Sequence, residues 1–407
     1  MFDLEKELPN YVSEAVDAVE FKLVRDVSDL EDDRTTFHPV MAHQIFGENE
    51  KIFGYKDLKV KLYYTAGPLN IFLSIDYSHK LSFEEHNITP DDITSLISEK
   101  LPAGCYYTNI DEFCNVVRKA DAFQPFGDKI VQFDVQTGDS GNERHFEIYF
   151  CDPTTPKFFS YHARFESFIM WYIDAASYIE QDDHRWLFFF CYEKYVNKDG
   201  KTCYASAGYG TVYQYYAYPE HVRPRISQLI VLPPFQKLGI GSRLIRTIYD
   251  HFESNKKVLD ITVEDPSEDF QSIRNYIDAK LCKDLPAFQP EKLRGGFCKE
   301  MVTEAKAKAK INPLQCRRIY EILRLFHTNT NNDEEYRLYR LDVKKRLNMM
   351  YIVHKRNIEK AEKRGMDVTA AKLGMTPLTE RLEQLQEEYN MLEHEYHRVI
   401  KKLKELN

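Results

Sequence analysis

Residues 225–267 read RISQLIVLPPFQKLGIGSRLIRTIYDHFESNKKVLDITVEDPS, and the reading of this stretch decides the fold. Residues 226–232 are apolar and rich in β-branched side chains, as a buried strand is. Pro233-Pro234 ends the strand, because neither residue offers a ladder N–H. Gly239 and Gly241 follow, allowing a tight turn and a close approach of another molecule to the backbone. Leu244, Ile245, Ile248, Tyr249 and Phe252 then recur at helical spacing, which predicts a helix with one buried face. A further strand is predicted over 258–264, with Leu259, Ile261 and Val263 on one face and Asp260, Thr262 and Glu264 on the other. Asp265-Pro266 stops it.

A strand, a glycine turn and a helix together aim unpaired backbone N–H groups at a phosphate. The turn lacks Gly-Lys-Ser/Thr, so it is not a nucleoside triphosphatase loop. A lone Gly-x-Gly also fits a plain tight turn with no ligand. The fuller pattern, Gln-x-x-Gly-x-Gly after an apolar strand, resembles the acetyl-CoA pyrophosphate loop of the GNAT acetyltransferases.

The chain has 407 residues, enough for two or three domains with cores of their own. No apolar run reaches membrane-spanning length, so no transmembrane helix is expected. The opening MFDLEKELPN is acidic where a secretory signal is basic and apolar, which argues against secretion. The eight cysteines are scattered without a Cys-x-x-Cys pair. They read as reduced, mostly buried thiols of the cytoplasm or nucleus, with no disulfide framework and no zinc site. Net charge is −9 and unevenly placed. Residues 1–50 hold 13 Asp/Glu against 4 Lys/Arg, a balance of −9, whereas residues 291–407 hold 25 Lys/Arg against 18 Asp/Glu, a balance of +7. The acidic N-terminal segment favours a basic partner over nucleic acid, with a solvated acidic surface as the plainer alternative.

Taken in order, residues 1–20 predict a short amphipathic helix or an arm, and residues 21–124 a small α+β domain. Within that domain, strands over 58–64 and 69–77 flank Ala66-Gly67-Pro68, and short helices are expected over 93–97 and 111–119. From 125 to 285 the pattern predicts two strands, a helix over 161–180, two antiparallel strands around VNKDGK, and then the stretch quoted above. The fold class is therefore α+β with a mostly antiparallel sheet. Helices follow over 270–282, 299–310, 317–326 and 333–356, giving a C-terminal helical region at 286–365. In residues 366–407, Leu378, Leu382, Leu385, Tyr389, Leu392, Tyr396, Val399, Leu403 and Leu406 step by four and three. This heptad seam pairs with a second chain or folds back on the preceding helices.

The chemistry centres on Glu264, a carboxylate at the predicted end of a strand beside the glycine turn. Acetyl transfer to an amine needs a neutral amine, and lysine is charged at neutral pH. A positioned carboxylate that takes this proton contributes about 10²–10⁴-fold; the alternative is a capping or solvated side chain. Backbone groups of Leu229, Ile230 and Val231, just before Pro233, are candidates to pair with a cofactor arm and polarise a thioester carbonyl. His38 and His43 read as ordinary histidines, no metal is required, and no Ser-His-Asp or Cys-His arrangement emerges from the spacing.

Long blocks of the sequence resemble the type B histone acetyltransferase catalytic subunits: FHPVMAHQIFGENEKIFGYKDLKVKLYY, YHARFESFIMWYIDAASYIEQDDHRW, RISQLIVLPPFQKLGIGSRL, LDITVEDPSEDFQSIR and RRIYEILRL. The match covers roughly residues 21–350. The resemblance implies a GNAT fold, with a small N-terminal α+β domain and a C-terminal helical region. It also implies acetylation of lysines on newly made, free histone H4 (with its histone H3 partner). A WD40 histone chaperone of the retinoblastoma-binding family is the further implied partner. Neither direct nucleic-acid nor membrane binding is expected, and the location implied is nucleus and cytoplasm. Carried over by position, acetyl-CoA contacts fall on Leu229, Ile230, Val231, Gln236, Lys237, Leu238, Gly239, Ile240, Gly241, Ser242 and Ser267. The general base falls on Glu264. Substrate contacts fall on Glu48, Asn49, Glu50, Trp186, Tyr213, Gln214 and Tyr215. Asp174 stands where the family often has Glu; it and Asp265 are the candidate auxiliary acid/base groups. The heptad tail departs from the family in detail.

Two other readings remain open at this stage. One keeps the fold but changes the acceptor to another protein or a small amine. The other is a non-catalytic histone-binding scaffold, against which the intact Gln236, Gly239, Gly241 and Glu264 argue.

Overall fold

The structure, a computed structural model, describes residues 7–138 and 142–405. These divide into two compact units. One comprises the chain up to Tyr215 together with Pro224–Ile248; the other comprises Tyr216–Arg223 together with the chain from Tyr249 onward.

The first unit contains two larger sheets and two two-stranded ones. The N-terminal sheet runs in the order β1 (Val19–Val24), β2 (Lys59–Thr65), β3 (Ile71–Asp76), β4 (Tyr106–Tyr107). The outer pairs are parallel and β2–β3 is the antiparallel hairpin expected around Ala66-Gly67-Pro68. The larger sheet contributes five strands in the order β9 (His221–Val231), β8 (Thr202–Ala217), β7 (Trp186–Val196), β6 (Asn142–Cys151), β5 (Asp128–Thr137). Its β5–β6, β6–β7 and β7–β8 pairs are antiparallel. α1 (His43–Phe46) precedes β2; α2 (Phe158–Glu166) and α3 (Ile169–Tyr172) lie between β6 and β7 in sequence.

A single aromatic core joins both sheets. Phe158 packs on Phe188 at 4.8 Å between ring centroids and Phe165 on Tyr209 at 4.7 Å, whereas Phe168 packs on Tyr64 at 4.2 Å. Aromatic side chains bury about 150–250 Å² each. Residues 21–124 therefore belong to the same packed body as the larger sheet.

Two expectations in this unit are corrected. The helix predicted over 161–180 breaks into α2 and α3 and stops at Tyr172. The Trp171 carbonyl instead accepts the N–H groups of Val40 and Met41 at 3.1 and 3.2 Å, and the Ile179 N–H donates to the buried Glu166 at 2.8 Å. Tertiary partners thus outbid helix continuation. Of the short amphipathic helix or arm expected over 1–20, the described residues show no continuous helix. There, Leu8–Tyr11 is a 3-10 turn, Val12–Glu14 pairs antiparallel with Lys51–Phe53, and Ala15–Ala18 is one helical turn. Residues 1–6 lie outside the described residues.

α4 (Ile240–Glu253) follows the glycine turn and buries Leu244, Ile245, Ile248, Tyr249 and Phe252, the face its spacing predicted.

The second unit takes in the ends of β8 and β9 at Tyr216–Arg223 and the short β10 (Thr262–Val263); its other described residues are mainly helical. Its long helices are α5 (Glu268–Cys282), α6 (Lys299–Ala309), α7 (Pro313–His327), α8 (Asp333–Leu347), α9 (Met349–Lys363) and α10 (Leu378–Glu405). The helix expected over 333–356 breaks at Asn348. Arg381, from α10, donates to Asn348 Oδ1 at 3.0 Å and to the Leu347 carbonyl at 3.3 Å. The heptad seam folds back on its own chain: Leu385, Tyr389, Tyr396, Val399 and Leu403 are buried, the last four in one cluster with residues of α5, α7 and α8. Leu378 and Leu382 stay exposed, and Leu406 lies outside the described residues. At the centre, Glu321 on α7 is fully buried and shared. It accepts from Arg317 at 2.8 Å, from Arg346 at 2.7 and 2.8 Å, and from the Tyr396 hydroxyl at 2.8 Å.

Candidate functional site

The glycine turn lies in the first unit, between β9 and α4. β9 is drawn close to β8 at Gly208, where an added Cβ would meet the Ile230 carbonyl oxygen at 2.5 Å. The Leu232 N–H donates to the Ala207 carbonyl at 2.9 Å. Past Pro233 the Gln236 amide reaches back to the Val231 carbonyl at 2.9 Å, tying the turn to the strand end. Lys237 and Gly239 both sit in the left-handed region, at φ +62° and +78°. No atom lies within 4 Å of a Cβ built on Gly239, so the backbone there is open. The first N–H groups of α4 have no acceptor within the helix, apart from Arg243, which donates to the Gly239 carbonyl at 3.1 Å. Lys237 and Arg243 are exposed cations of the same stretch, the Arg243 guanidinium lying over the Phe133 ring at 5.2 Å. Open backbone, a helix N-terminus and two cations suit a diphosphate. Leu238 and Gly241 are part-exposed, as is Ser242, and Ile240 is buried.

Glu264, Asp265 and Ser267 lie together in the second unit. The strand predicted over 258–264 is shorter, β10 alone. The flanking residues make isolated parallel bridges, Val222 with Val258 and Ile261 with Ile311. The expected polar face is also corrected, because Asp260 is buried at 1% exposure and paired to Arg223 at 2.6 and 3.1 Å. Glu264 is exposed directly after β10. Asp265 follows at φ +29°, a sharp corner into α5. Ser267 caps α5, its Oγ accepting the Phe270 N–H at 3.2 Å.

The substrate candidates form two groups in the first unit. Trp186 and Tyr213 are cross-strand partners with rings 4.9 Å apart, and Tyr213 meets Tyr215 at 4.6 Å. Arg185 covers Tyr213 at 4.8 Å and Arg225 covers Tyr215 at 4.5 Å. The Tyr213 hydroxyl donates to Asp183 at 2.9 Å, and Gln214 donates its N–H to the Arg185 carbonyl at 3.1 Å. Hydrogen bonds from Arg185 hold the Asp183 carboxyl well below the usual range. In the second group Glu48 and Asn49 are exposed. Glu50 is engaged with its own chain: Oε1 accepts the N–H groups of Ala42 and His43 at 2.7 and 2.9 Å. Those bonds, the Ala42 one foremost, lower its carboxyl below the ordinary value. The His43 ring stands between Glu50 at 3.4 Å and Asp174 at 3.0 Å.

Sequence reasoning missed Asp183, Arg185 and Arg225. Asp183 and Arg185 pair only two residues apart, but the Tyr213 that both meet and the Tyr215 that Arg225 covers lie on another strand, and spacing carries no signal for that. It also missed Glu166, buried beneath the segment that carries Asp174 and Asp183. Burial pushes its carboxyl up to about 7. No group of three or more His, Cys, Asp or Glu that could hold a metal occurs among the described residues, and no described helix is long and apolar enough to cross a membrane.

Three family models match the chain: "Histone acetyl transferase HAT1 N-terminus" over residues 11–174, "Acetyltransferase (GNAT) family" over 148–276, and "Histone acetyltransferase type B catalytic subunit, C-terminal" over 274–325. The histone acetyltransferase type B catalytic subunit of Homo sapiens is 42% identical over 402 residues, covering 98% of this chain and 95% of that protein. The chain belongs to the type B histone acetyltransferase catalytic subunit family. Its relative in Rattus norvegicus is 40% identical, with coverage of 98% and 95%. One in Dictyostelium discoideum is 35% identical, over 80% of this chain and 67% of the relative. As a member of this family the chain is an acetyltransferase of the GNAT fold, and GNAT acetyltransferases use acetyl-CoA.

Proposed function

We propose that the chain transfers acetyl groups from acetyl-CoA to lysine side chains of newly made, free histone H4 before chromatin assembly. In this reading H4 is presented with histone H3, a WD40 histone chaperone is the partner, and the protein works in cytoplasm and nucleus without a metal. The observation that carries it is the similarity along almost the whole chain to proteins named histone acetyltransferase. The open turn at Lys237 and Gly239 adds support, since its backbone suits a diphosphate.

Acetyl-CoA supplies an activated acyl thioester. N–H groups of residues 237–242, with Lys237, hold the cofactor's diphosphate, and Leu229, Ile230 and Val231 offer backbone groups to its arm. Glu264 accepts the proton from the lysine ammonium, so the neutral amine attacks the thioester carbonyl directly; the N–C bond forms, the C–S bond breaks, and CoA leaves as a thiolate that takes up the amine's second proton. Asp265 and Asp174 are auxiliary acid/base candidates. Trp186, Tyr213 and Tyr215 offer aromatic walls to the lysine's aliphatic stem, and Glu48 offers charge to neighbouring basic residues.

The test is labelled acetyl transfer from acetyl-CoA to each free core histone, followed by mass-spectrometric mapping. The expected result is label on lysines of H4. Label confined to other acceptors, or none, overturns the substrate assignment.

A further inference from the structure

The second unit holds the segment that carries Glu264 at both of its ends. On the entry side, Asp260 is gripped by Arg223, and the Ile261 N–H donates to the Lys310 carbonyl at 2.8 Å. On the exit side, Ser267 caps α5. Between them the chain turns a corner at Asp265, φ +29°, and Pro266. One side chain connects the two ends. Arg274 lies on α5 two turns beyond the Ser267 cap, and helical side chains lean toward the N-terminus. Its guanidinium reaches back and donates to the Ile261 carbonyl at 3.0 Å. Asn312 donates to the same oxygen at 3.3 Å.

Arg274 is itself fixed. It is 4% exposed, its Nε donates to the Tyr249 hydroxyl at 3.1 Å, and the Asp278 carboxylate lies 3.4 Å away. Asp278 is fully buried and is held in turn by Gln315 at 2.9 Å. A core position needing only bulk would take an apolar side chain more readily than a buried ion pair. What the guanidinium adds is a directed bond to a carbonyl three residues before Glu264.

We propose that Arg274 is a positioning residue for acyl transfer: by holding the Ile261 carbonyl against α5 it sets where Glu264 stands. The proposal rests on Glu264 being the general base. A base must come within about 2.6–3.2 Å of the proton it removes, and a misplacement of about 1 Å can cost about 10²-fold. Arg274 touches no reacting atom and acts through the segment it holds.

The test is a double-mutant cycle on the full chain with steady-state kinetics. Arg274→Met is paired with Asp278→Asn, so that no carboxylate is left buried alone. The pair is expected to lower kcat by about 10- to 100-fold, with the KM for acetyl-CoA within about two-fold of wild type. Added to Glu264→Gln, it should lower kcat no further. Arg274→Lys keeps the charge but cannot serve Tyr249, Asp278 and Ile261 together. It should show a smaller loss with the same non-additivity, and it carries the test if the pair fails to fold. Equal fold-losses with and without Glu264, or unchanged kcat, overturn the positioning role. Full kcat in Glu264→Gln alone removes the base assignment, and the positioning proposal falls with it.

Discussion

Glu50 Oε1 accepts the backbone N–H of His43 at 2.9 Å, so this carboxylate closes the start of α1 from seven residues downstream. The two acidic residues of Glu48-Asn49-Glu50 therefore differ in kind. Replacing a helix-capping acceptor costs about 0.5–2 kcal/mol, so Glu50→Ala should lower the melting temperature. Its effect is tied to acid: the folded pKa lies below the ordinary value, so its stabilisation is present above that value and fades as pH falls through the folded pKa. Glu48→Gln should leave stability unchanged. It should raise the KM for an H4-tail peptide several-fold at low salt, and the gap should close as salt screens the charge. Equal melting temperatures for wild type and Glu50→Ala would sink the capping account; unchanged KM in Glu48→Gln would remove Glu48 from the tail site.

Gly239 is required for its conformation. An added Cβ would strike nothing, but φ is +78°, where a non-glycine residue is strained by about 1–2 kcal/mol. Gly239→Ala should destabilise the turn and weaken acetyl-CoA binding in calorimetry. Wild-type affinity in this variant speaks against the diphosphate loop.

Glu264→Gln preserves size and removes proton acceptance. The expected fall in kcat is about 10²-fold or more near pH 7, with acetyl-CoA affinity little changed. The deficit should shrink at high pH, where more of the acceptor lysine is already neutral. Full kcat at pH 7 transfers the role to Asp265 or Asp174.

His162 is fully buried in the aromatic core, its Nδ1 3.6 Å from a Glu166 carboxylate oxygen, and neither ring nitrogen has a hydrogen-bond partner. Burial lowers its pKa to about 3, so the native ring is neutral. The unfolded chain binds a proton below about 6.5, so the unfolded state gains protons first, and stability is lost as pH falls from about 6.5 toward 3. His162→Phe removes both the unsatisfied nitrogens and this linkage. Its melting temperature should match or exceed wild type at pH 7, and its advantage should widen at pH 5. A constant difference between the two pH values would contradict the neutral buried ring.

Elements whose own period marks their buried face were legible in the sequence. Residues 226–252 gave strand, turn and helix in the right places, the hairpin around VNKDGK stands as Trp186–Val196 and Thr202–Ala217, and the heptad spacing became α10. What failed depends on partners distant along the chain. The polar face imagined for 258–264 ignored Arg223, which lies 37 residues before Asp260 and draws it inside. The helix over 161–180 has good local spacing, but residues 40 and 41 claim the Trp171 carbonyl. At the candidate site, a motif supplied the turn and Glu264. The structural duties of Glu50, Gln236 and Ser267 became visible only with their hydrogen-bond partners.

Glu321 has a consequence for how the second unit comes apart. Its one carboxylate is held by Arg317 on its own helix, Arg346 on α8 and the Tyr396 hydroxyl on α10, so losing α8 strips a buried carboxylate of one of its two guanidinium partners, at up to about 3–5 kcal/mol, and losing α10 removes a hydrogen bond to a charged group, at about 1.5–3 kcal/mol. Fraying of α10 from its far end therefore meets a charge-assisted hydrogen bond at Tyr396. One buried carboxylate thus links three helices, which makes the last helix a part of the unit's cooperative stability.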